Sequence, residues 1–293
     1  HPVAHSFPTR RSSDLWWNGA QVADFLSITD EVLLANNMPD VKFTTGETTT
    51  WARLNEMWYE GKYKFSIADQ IVNNKEAIKN LGLITSHGFM QKYDPTGINK
   101  IRAKNPGLHV WTTSYTWDPM DVGIVEDARN LIYQVGCNAL IPWAVVHNDY
   151  ESDKLSPPMK FRVSSNACSP FKTDNGKLEV TKAYYYYKQI CRAGQPGMAV
   201  ANVSTNDENI QAIAFAQNQT INPDAFIIIN NSEKETEVEI EVKGTACKEF
   251  YVFCTSDEEL NFANKGKIEL EKNKLNYKFP PKSATTFFGN TLR

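Results

Sequence analysis

Apolar positions in the first two thirds of the chain alternate between helical spacing and short continuous runs. Val22, Phe25, Leu26, Val32 and Leu33 recur at the spacing of one helix face, which predicts a helix over residues 20–36. Later segments repeat this change between the two kinds of spacing. The pattern predicts helices over 20–36, 67–80, 95–104, 122–135 and 182–191, and strands over 41–45, 83–86, 108–113 and 139–143.

Strands that alternate with helices in this way form βα units, and such units build a parallel sheet. Each predicted strand ends in polar or aromatic residues, as strands do around the active site of a (β/α)8 barrel. Four units cannot close such a barrel, which takes about 200 to 250 residues. We therefore predict that residues 16–192 are the C-terminal half of a (β/α)8 TIM barrel, a four-stranded α/β sandwich being the alternative.

The chain changes character after Arg192, where Gly194-Gln195-Pro196-Gly197 ends the last predicted helix. Residues 235–242 alternate strictly between polar and apolar side chains, as a half-buried strand does. Turns rich in Asn, Gly and Pro separate several such short runs. Strands are predicted over 210–215, 225–229, 235–242, 249–254, 267–270 and 284–288. Residues 193–293 are accordingly predicted to form a small antiparallel β-sandwich.

Composition narrows the function mainly by exclusion. The 293 residues carry a formal net charge of −3, so we expect no surface for nucleic acid. No apolar run approaches the roughly 20 residues that a membrane-spanning helix needs. The five cysteines lack metal-ligand spacing, and we expect neither a metal nor a cofactor. Cys247 and Cys254 are either buried free thiols or a bridged pair.

Residues 1–15 form a segment of a different kind. The stretch SFPTRRSSDL at 6–15 resembles one reading frame of a sequencing adaptor, a basic N-terminal arm being the alternative. It lacks the apolar region of a signal peptide. We expect residues 1–15 to be a non-native artefact and the native chain to start near Trp16, as a fragment of a longer enzyme.

A family resemblance rests on motifs spread from the last predicted barrel strand to the end of the chain. The motifs are NALIPW at 138–143, KAYYYYKQ at 182–189, RAGQPG at 192–197, IQAIAF at 210–215 and FPPKSATTF at 279–287. In order and spacing they resemble glycoside hydrolase family 30, a clan A family of β-glycosidases that includes glucosylceramidases and xylanases. The resemblance extends over the chain from about Trp16 onward.

The resemblance implies two catalytic carboxylates, an acid/base after the fourth barrel strand and a nucleophile at the end of the seventh. The acid/base stands in an Asn-Glu-Pro motif, which this sequence lacks, and we expect it to precede Trp16 in the whole protein. The family's Trp-x-Thr-Glu corresponds to Trp111-Thr112-Thr113-Ser114, which puts Ser114 in the nucleophile's position. A serine does not supply the chemistry of a carboxylate there. Three explanations stay open: another recruited acid, a degenerate branch, or a different register.

Two acidic residues are candidates for a substitute catalytic carboxylate. Glu47 directly follows the first predicted strand, and residues at such strand ends line the mouth of a barrel. Its alternative roles are a ligand of substrate hydroxyls and a structural carboxylate at the rim. Asp118 is the ionisable residue nearest to Ser114, although a capping role before Pro119 is the favoured interpretation.

Four further residues are candidates for substrate binding. His87, after the second predicted strand, is suited to hydrogen-bonding a sugar or orienting a carboxylate, or is a satisfied rim histidine. Trp143 closes the last predicted strand, where the resemblance implies an aromatic floor of the sugar subsite. Trp117 offers a stacking platform, and His147 lies on the loop beyond Trp143, where a flexible polar loop is the simpler interpretation.

The sequence thus predicts that the whole protein hydrolyses β-linked glycosides or polysaccharides, and that this chain is an inactive fragment lacking the acid/base. The alternative is a non-catalytic carbohydrate-binding relative that has lost its nucleophile. We expect a carbohydrate partner, no nucleic acid, no membrane span, and a monomer at full length. An extracellular or periplasmic location is expected, with the signal peptide lost together with the N-terminus.

Overall fold

The computed structural model describes residues 17–59, 63–115, 121–143, 145–148, 169–174 and 176–290. These residues fall into two compact units. The first unit holds residues 17–115 and 130–143, and the second holds residues 121–129 together with the described residues from 145 to 290. The domain boundary predicted between residues 192 and 193 stays a prediction, and the presumed artefact at 1–15 lies outside the described residues.

The first unit combines helices with a parallel sheet. Its helices are α1 (Gly19–Ala35), α2 (Trp51–Asn55), α3 (Ile67–Asn73), α4 (Lys75–Asn80) and α5 (Thr96–Arg102). Its strands are β1 (Phe43–Thr44), β2 (Met57–Tyr59), β3 (Tyr63–Phe65), β4 (Leu81–His87), β5 (His109–Tyr115) and β6 (Ala139–Pro142). It also contains a 3-10 turn at Phe89–Gln91 and a π-helical turn at Leu131–Val135.

The parallel sheet of the first unit confirms the pattern of alternating helices and strands. Within the described residues, β1, β4, β5 and β6 pair in that order, and every pair is parallel. Leu83 pairs with His109, and Trp111 pairs with Ala139, with a shift of register near the end of each of these two ladders. Because the strands are parallel, their carboxyl ends lie along one edge of the sheet.

The helix predicted over 67–80 is two helices, α3 and α4. Asn74 between them adopts an extended conformation with φ −108° and ψ 111°. Its side-chain oxygen accepts hydrogen bonds from the backbone N–H groups of Glu76 and Ala77, and the Ser27 hydroxyl lies 2.9 Å from the same oxygen. Asparagine is a strong N-cap, so this side chain starts a new helix rather than continuing the old one.

Two elements of the first unit have no counterpart in the predicted pattern. Helix α2 is only five residues long, and the hairpin of β2 and β3 has three residues in each strand. Both are too short to show a hydrophobic period. Trp51 and Leu54 of α2 are nevertheless buried, whereas Trp58 and Tyr63 of the hairpin are exposed.

The second unit is built largely from antiparallel strands. Its helices are α6 (Gly123–Asn130) and α7 (Lys182–Ala193). Its strands are β7 (Val146–Asn148), β8 (Phe171–Asp174), β9 (Lys177–Val180), β10 (Ala199–Ala201), β11 (Ile210–Ala216), β12 (Ala225–Asn230), β13 (Thr236–Glu241), β14 (Glu249–Ser256), β15 (Ala263–Glu269), β16 (Lys274–Phe279) and β17 (Ser283–Gly289). The predicted helix over 122–135 is α6 followed by the π-helical turn, and Gly136 with φ +77° ends it.

One hydrophobic core joins two antiparallel sheets in the second unit. The larger sheet has the strand order β10-β11-β12-β17-β14-β15, and the smaller pairs β13 with β16. Phe226, Phe250 and Phe287 of the larger sheet pack in the same cluster as Leu275 and Phe279 of the smaller one. Cys247 and Cys254 are separate buried thiols, as the first of the two alternatives expected.

In the second unit the sequence pattern missed β7, β8, β9, β10 and β16 and shortened β15. Strand β16 alternates buried Leu275 and Phe279 with exposed lysines and asparagine. The alternation of a half-buried strand was therefore present in the sequence, but it was weak because most residues of the segment are polar. Strand β12, in contrast, is buried along its whole length between β11 and β17. Among the described helices, none combines the length and hydropathy that crossing a membrane requires.

Candidate active site

Three side chains meet at the carboxyl end of the parallel sheet. Glu47 follows β1, His87 ends β4 and Thr113 lies near the end of β5, so adjacent strands supply all three. The Thr113 hydroxyl donates a hydrogen bond to Oε2 of Glu47. Nδ1 of His87 lies 3.4 Å from that carboxylate oxygen and 3.4 Å from Oγ1 of Thr113. We call Glu47, His87 and Thr113 the strand-end trio.

Buried hydroxyl groups fix the segment that carries Glu47. Oγ1 of Thr45 donates to the carbonyl of Thr85 and accepts the backbone N–H of Thr85, both at 2.9 Å. On the other side of Glu47, Oγ1 of Thr48 lies 2.6 Å from Oγ of Ser86. All four hydroxyl side chains are buried, where a hydrogen bond that is broken is costly. Strand β4 therefore holds Glu47 from both flanks.

The two ionisable members of the trio differ in exposure. The side chain of His87 is 6% exposed, whereas that of Glu47 is 42% exposed. Burial lowers the pKa of His87, and the negative charge of Glu47 opposes this with a smaller effect. The site thus combines a solvent-accessible carboxylate with an imidazole that is mainly neutral at pH 7, a pair suited to proton transfer or to hydrogen-bonding of hydroxyl groups.

Aromatic rings extend the site from β4 towards the end of β6. The His87 and Phe89 ring centroids are 5.0 Å apart, and Phe89 meets Trp143 edge to face at 5.9 Å. The backbone N–H of Trp143 donates to the carbonyl of Tyr115 at 3.2 Å, which fixes the chain just after β6. Trp143 is half-buried and reaches the trio through Phe89, which contacts both it and His87.

The structure places Ser114 on a different face of β5 from the trio. Burial alternates along this strand: Trp111 is exposed and Thr113 half-buried, whereas Thr112 and Ser114 are buried. Oγ1 of Thr112 lies 3.0 Å from Sγ of Cys137, so this buried face is the one packed inside the unit. Thr113, which the sequence reasoning passed over, is the residue of β5 that meets Glu47. Period-two alternation from Trp111 was the available signal.

The side chains of the other predicted site residues are not among those that the structure describes. Trp117 and Asp118 lie outside the described residues. The backbone of His147 belongs to β7 in the second unit, and its side chain lies outside the described part of the structure. Within the described ranges, no three His, Cys, Asp or Glu side chains gather as a metal site would require.

The pKa of His87 is directly testable. We expect its imidazole to titrate below the ordinary range of histidine, and the substitution Glu47→Gln to lower that pKa further by removing the attractive charge. The measurement is an NMR titration of the imidazole carbon-bound protons, with His87→Asn to assign the resonance. A pKa of His87 above the ordinary range of histidine would show that the Glu47 charge outweighs burial.

The lowered pKa of His87 also determines the direction in which the free energy of unfolding changes with pH. In the pH window just below the ordinary pKa of histidine, the unfolded chain binds a proton that folded His87 does not. The contribution of neutral His87 to the free energy of unfolding is therefore present above that window and lost as the pH falls through it.

Comparison with known proteins identifies the fold but matches no family by sequence. No protein-family model and no curated protein sequence matches the chain. Among solved structures, it is similar to a family 30 endoxylanase from Clostridium papyrosolvens C71, with a TM-score of 0.68, 16% identity, and coverage of 97% of this chain and 64% of that one. The chain is also similar to solved structures of glycoside hydrolases from families 44 and 51.

Two further solved structures are similar to this chain to the same degree. A family 30 subfamily 8 xylanase from Clostridium acetobutylicum matches with a TM-score of 0.69 and 17% identity, over 94% of this chain and 61% of that one. A conserved exported protein from Bacteroides fragilis matches with a TM-score of 0.66 and 13% identity, over 93% and 60%. This chain thus spans less than two thirds of the length of these proteins. It has a family 30-like glycoside hydrolase fold.

Proposed function

We propose that the whole protein is a glycoside hydrolase that acts on β-linked glycosides or polysaccharides. The four parallel strands then correspond to the last four strands of a (β/α)8 barrel, and the two antiparallel sheets with their shared core to a β-sandwich. The observation that carries the proposal is the strand-end trio, in which a solvent-accessible carboxylate is held at the carboxyl ends of adjacent parallel strands. In barrel enzymes that edge is where catalytic groups lie.

Glu47 is one of the two carboxylates that glycoside hydrolysis requires. Two carboxyl groups about 5 to 5.5 Å apart give retention, and a separation of about 6.5 to 9.5 Å gives inversion. The second carboxylate, the acid/base, comes from barrel strands upstream of this chain in the whole enzyme, in the Asn-Glu-Pro motif of the family. Asp118 is the alternative to Glu47 as the substitute for the nucleophile. Thr113 and His87 hold the Glu47 carboxylate in one orientation and keep it ready to act as nucleophile or base.

Trp143 and His87 form the sugar-binding part of the same site. The apolar face of a sugar stacks on an aromatic ring, and Trp143 is fixed by its edge contact with Phe89 and remains half-buried. The neutral imidazole of His87 supplies a hydrogen bond for a sugar hydroxyl. Trp117 and His147 are further candidates for substrate binding, and the enzyme works outside the cytoplasm, where its polymeric substrates are found.

A non-catalytic carbohydrate-binding protein is the second candidate function. The observation that favours it is Ser114, which takes the nucleophile's position in the family motif and is itself buried. In that case the aromatic subsite persists and Glu47 only binds sugar hydroxyls.

Turnover by the whole protein distinguishes the two candidates. The source gene is recovered upstream of Trp16, and the full-length product is assayed on aryl β-glycosides, xylan and mixed-linkage β-glucan. We expect hydrolysis by the full-length protein and none by the 293-residue chain alone. Binding of these polysaccharides without any turnover by the full-length protein would support the carbohydrate-binding candidate, and the absence of both would overturn both.

A further inference from the structure

A cleft of about 380 Å³ lies on the larger antiparallel sheet of the second unit, beside the C-terminal end of α7. Strand and loop residues supply aromatic rings to it, whereas the helix end and two turns supply polar groups. Its floor and rim are made chiefly by Tyr251, Phe253, Phe262 and Phe288, and by Arg192 and Asn222. We call this site the sheet cleft. Its volume is within the usual range of about 300 to 1,000 Å³ for small-ligand sites.

Strand alternation explains why aromatic rings face this cleft. On β14, Phe250 and Val252 point into the core between the two sheets, so Tyr251 and Phe253 point to the opposite face. On β17, Phe287 enters the core and Phe288 does not. Tyr251 pairs directly with Phe288 across the two strands, which sets their rings side by side on the outer face.

The aromatic rings are fixed in position without a ligand. Phe253 and Phe262 stack at 4.8 Å with an interplanar angle of 20°, and Phe253 meets Phe288 edge to face at 5.7 Å. Nζ of Lys188 lies 4.5 Å from the Phe262 ring centroid, on a cation–π contact. Phe262 itself has φ +53°, a conformation that costs a bulky residue energy, and its N–H donates to the Thr255 hydroxyl at 3.1 Å.

The rim of the cleft carries planar hydrogen-bonding groups. The side-chain amide of Gln195 donates to the carbonyl of Cys191. In the part of the chain that the structure describes, no hydrogen bond uses the Arg192 guanidinium or the side-chain amide of Asn222, and Arg192 is exposed. Both groups are therefore available to a ligand at the edge of an aromatic floor.

We propose that the sheet cleft is a second carbohydrate-binding site, distinct from the strand-end trio, that holds a short stretch of a β-linked glycan without hydrolysing it. A pyranose presents an apolar face of C–H groups and an equatorial ring of hydroxyls. Aromatic rings complement the first, and amide and guanidinium groups complement the second. A purely apolar partner would leave the Arg192 and Asn222 groups desolvated without hydrogen bonds, which is unfavourable.

Binding by the 293-residue chain tests the proposal, because it needs no turnover. The chain is titrated with xylohexaose and cellohexaose by calorimetry and run through gels containing soluble xylan. Tyr251→Ala and Asn222→Ala remove one floor group and one rim group, and thermal unfolding checks that each variant is folded. We expect each to weaken binding by about tenfold, as loss of a central contact does.

Two control variants separate this site from other surfaces. Trp58→Ala removes an aromatic side chain that is 51% exposed in the first unit, and Glu31→Gln changes an exposed carboxylate on α1. Neither is expected to change binding at the sheet cleft. The proposal is overturned if the chain binds none of these glycans, or if binding is unchanged in both cleft variants. Absence of turnover by the full-length protein, with binding at the sheet cleft intact, would count against the proposed function alone.

Discussion

Replacing Glu47 with glutamine is expected to lower kcat of the full-length enzyme by a factor of about one thousand or more. The amide keeps the size and most hydrogen bonds of the side chain, but it is neither a nucleophile nor a base. The structure gives Glu47 the properties of a catalytic carboxylate: it is accessible to solvent, it accepts a hydrogen bond from the Thr113 hydroxyl, and it lies beside a buried histidine. The measurement is kcat and KM on the best aryl β-glycoside of the panel.

Matched variants show whether that loss is specific to the site. Glu31→Gln changes an exposed carboxylate on α1 in the same unit and should leave kcat unchanged. Thr113→Val keeps the shape of the side chain but removes the hydroxyl that donates to Glu47, so we expect a smaller fall of about tenfold in kcat. If Glu47→Gln retains activity, Glu47 is a rim carboxylate and Asp118 becomes the next residue to replace.

The parallel sheet was predictable because its signal is local. Each strand is a short apolar run and each helix carries its own period, so the order of elements follows from reading the chain in windows. The break between α3 and α4 was also local, since Asn74 is a strong N-cap, but the apolar period continued through it and concealed it. Short elements such as α2 carry too few residues to show any period.

The site itself depended on contacts that the sequence does not encode locally. Glu47 and His87 were candidates because each follows a predicted strand, and the structure brings these two together. Thr113 lies 66 positions from Glu47 in the sequence, and its role follows from which face of β5 each side chain occupies. The motif alignment placed Ser114 at the site, whereas the period-two alternation from Trp111 assigns Thr113 and Ser114 to opposite faces of the strand.

The largest expected effect on stability comes from Asn230, at the end of β12 and fully buried. Its side-chain Nδ2 donates to the carbonyls of Lys234, Phe279 and Pro280 at 2.9 to 3.1 Å. Its Oδ1 accepts the backbone N–H of Ser232 at 3.1 Å. Replacing Asn230 with leucine removes all of these hydrogen bonds from a fully buried position, so we expect the free energy of unfolding to fall by about 3 to 5 kcal/mol.

Urea unfolding of the 293-residue chain measures this change, with Asn276→Leu on an exposed position of β16 as the control for the same substitution. The control should shift the free energy of unfolding by about 0.5 kcal/mol or less. An equal effect of the two variants would mean that the hydrogen bonds of Asn230 are not what fixes the turn after β12.

The isosteric variant Asn230→Asp should make the free energy of unfolding depend on pH in one direction, which a general packing defect does not do. An ionised carboxylate at this position faces three carbonyl oxygens without a proton to donate, so folding raises the pKa of the new group above its unfolded value. The folded chain then binds a proton that the unfolded chain does not, between the unfolded and folded pKa values. Its free energy of unfolding should therefore increase, relative to the parent chain, as the pH is lowered through that range. A constant difference from the parent at every pH would show that the Asn230 side-chain amide does not donate to these carbonyls.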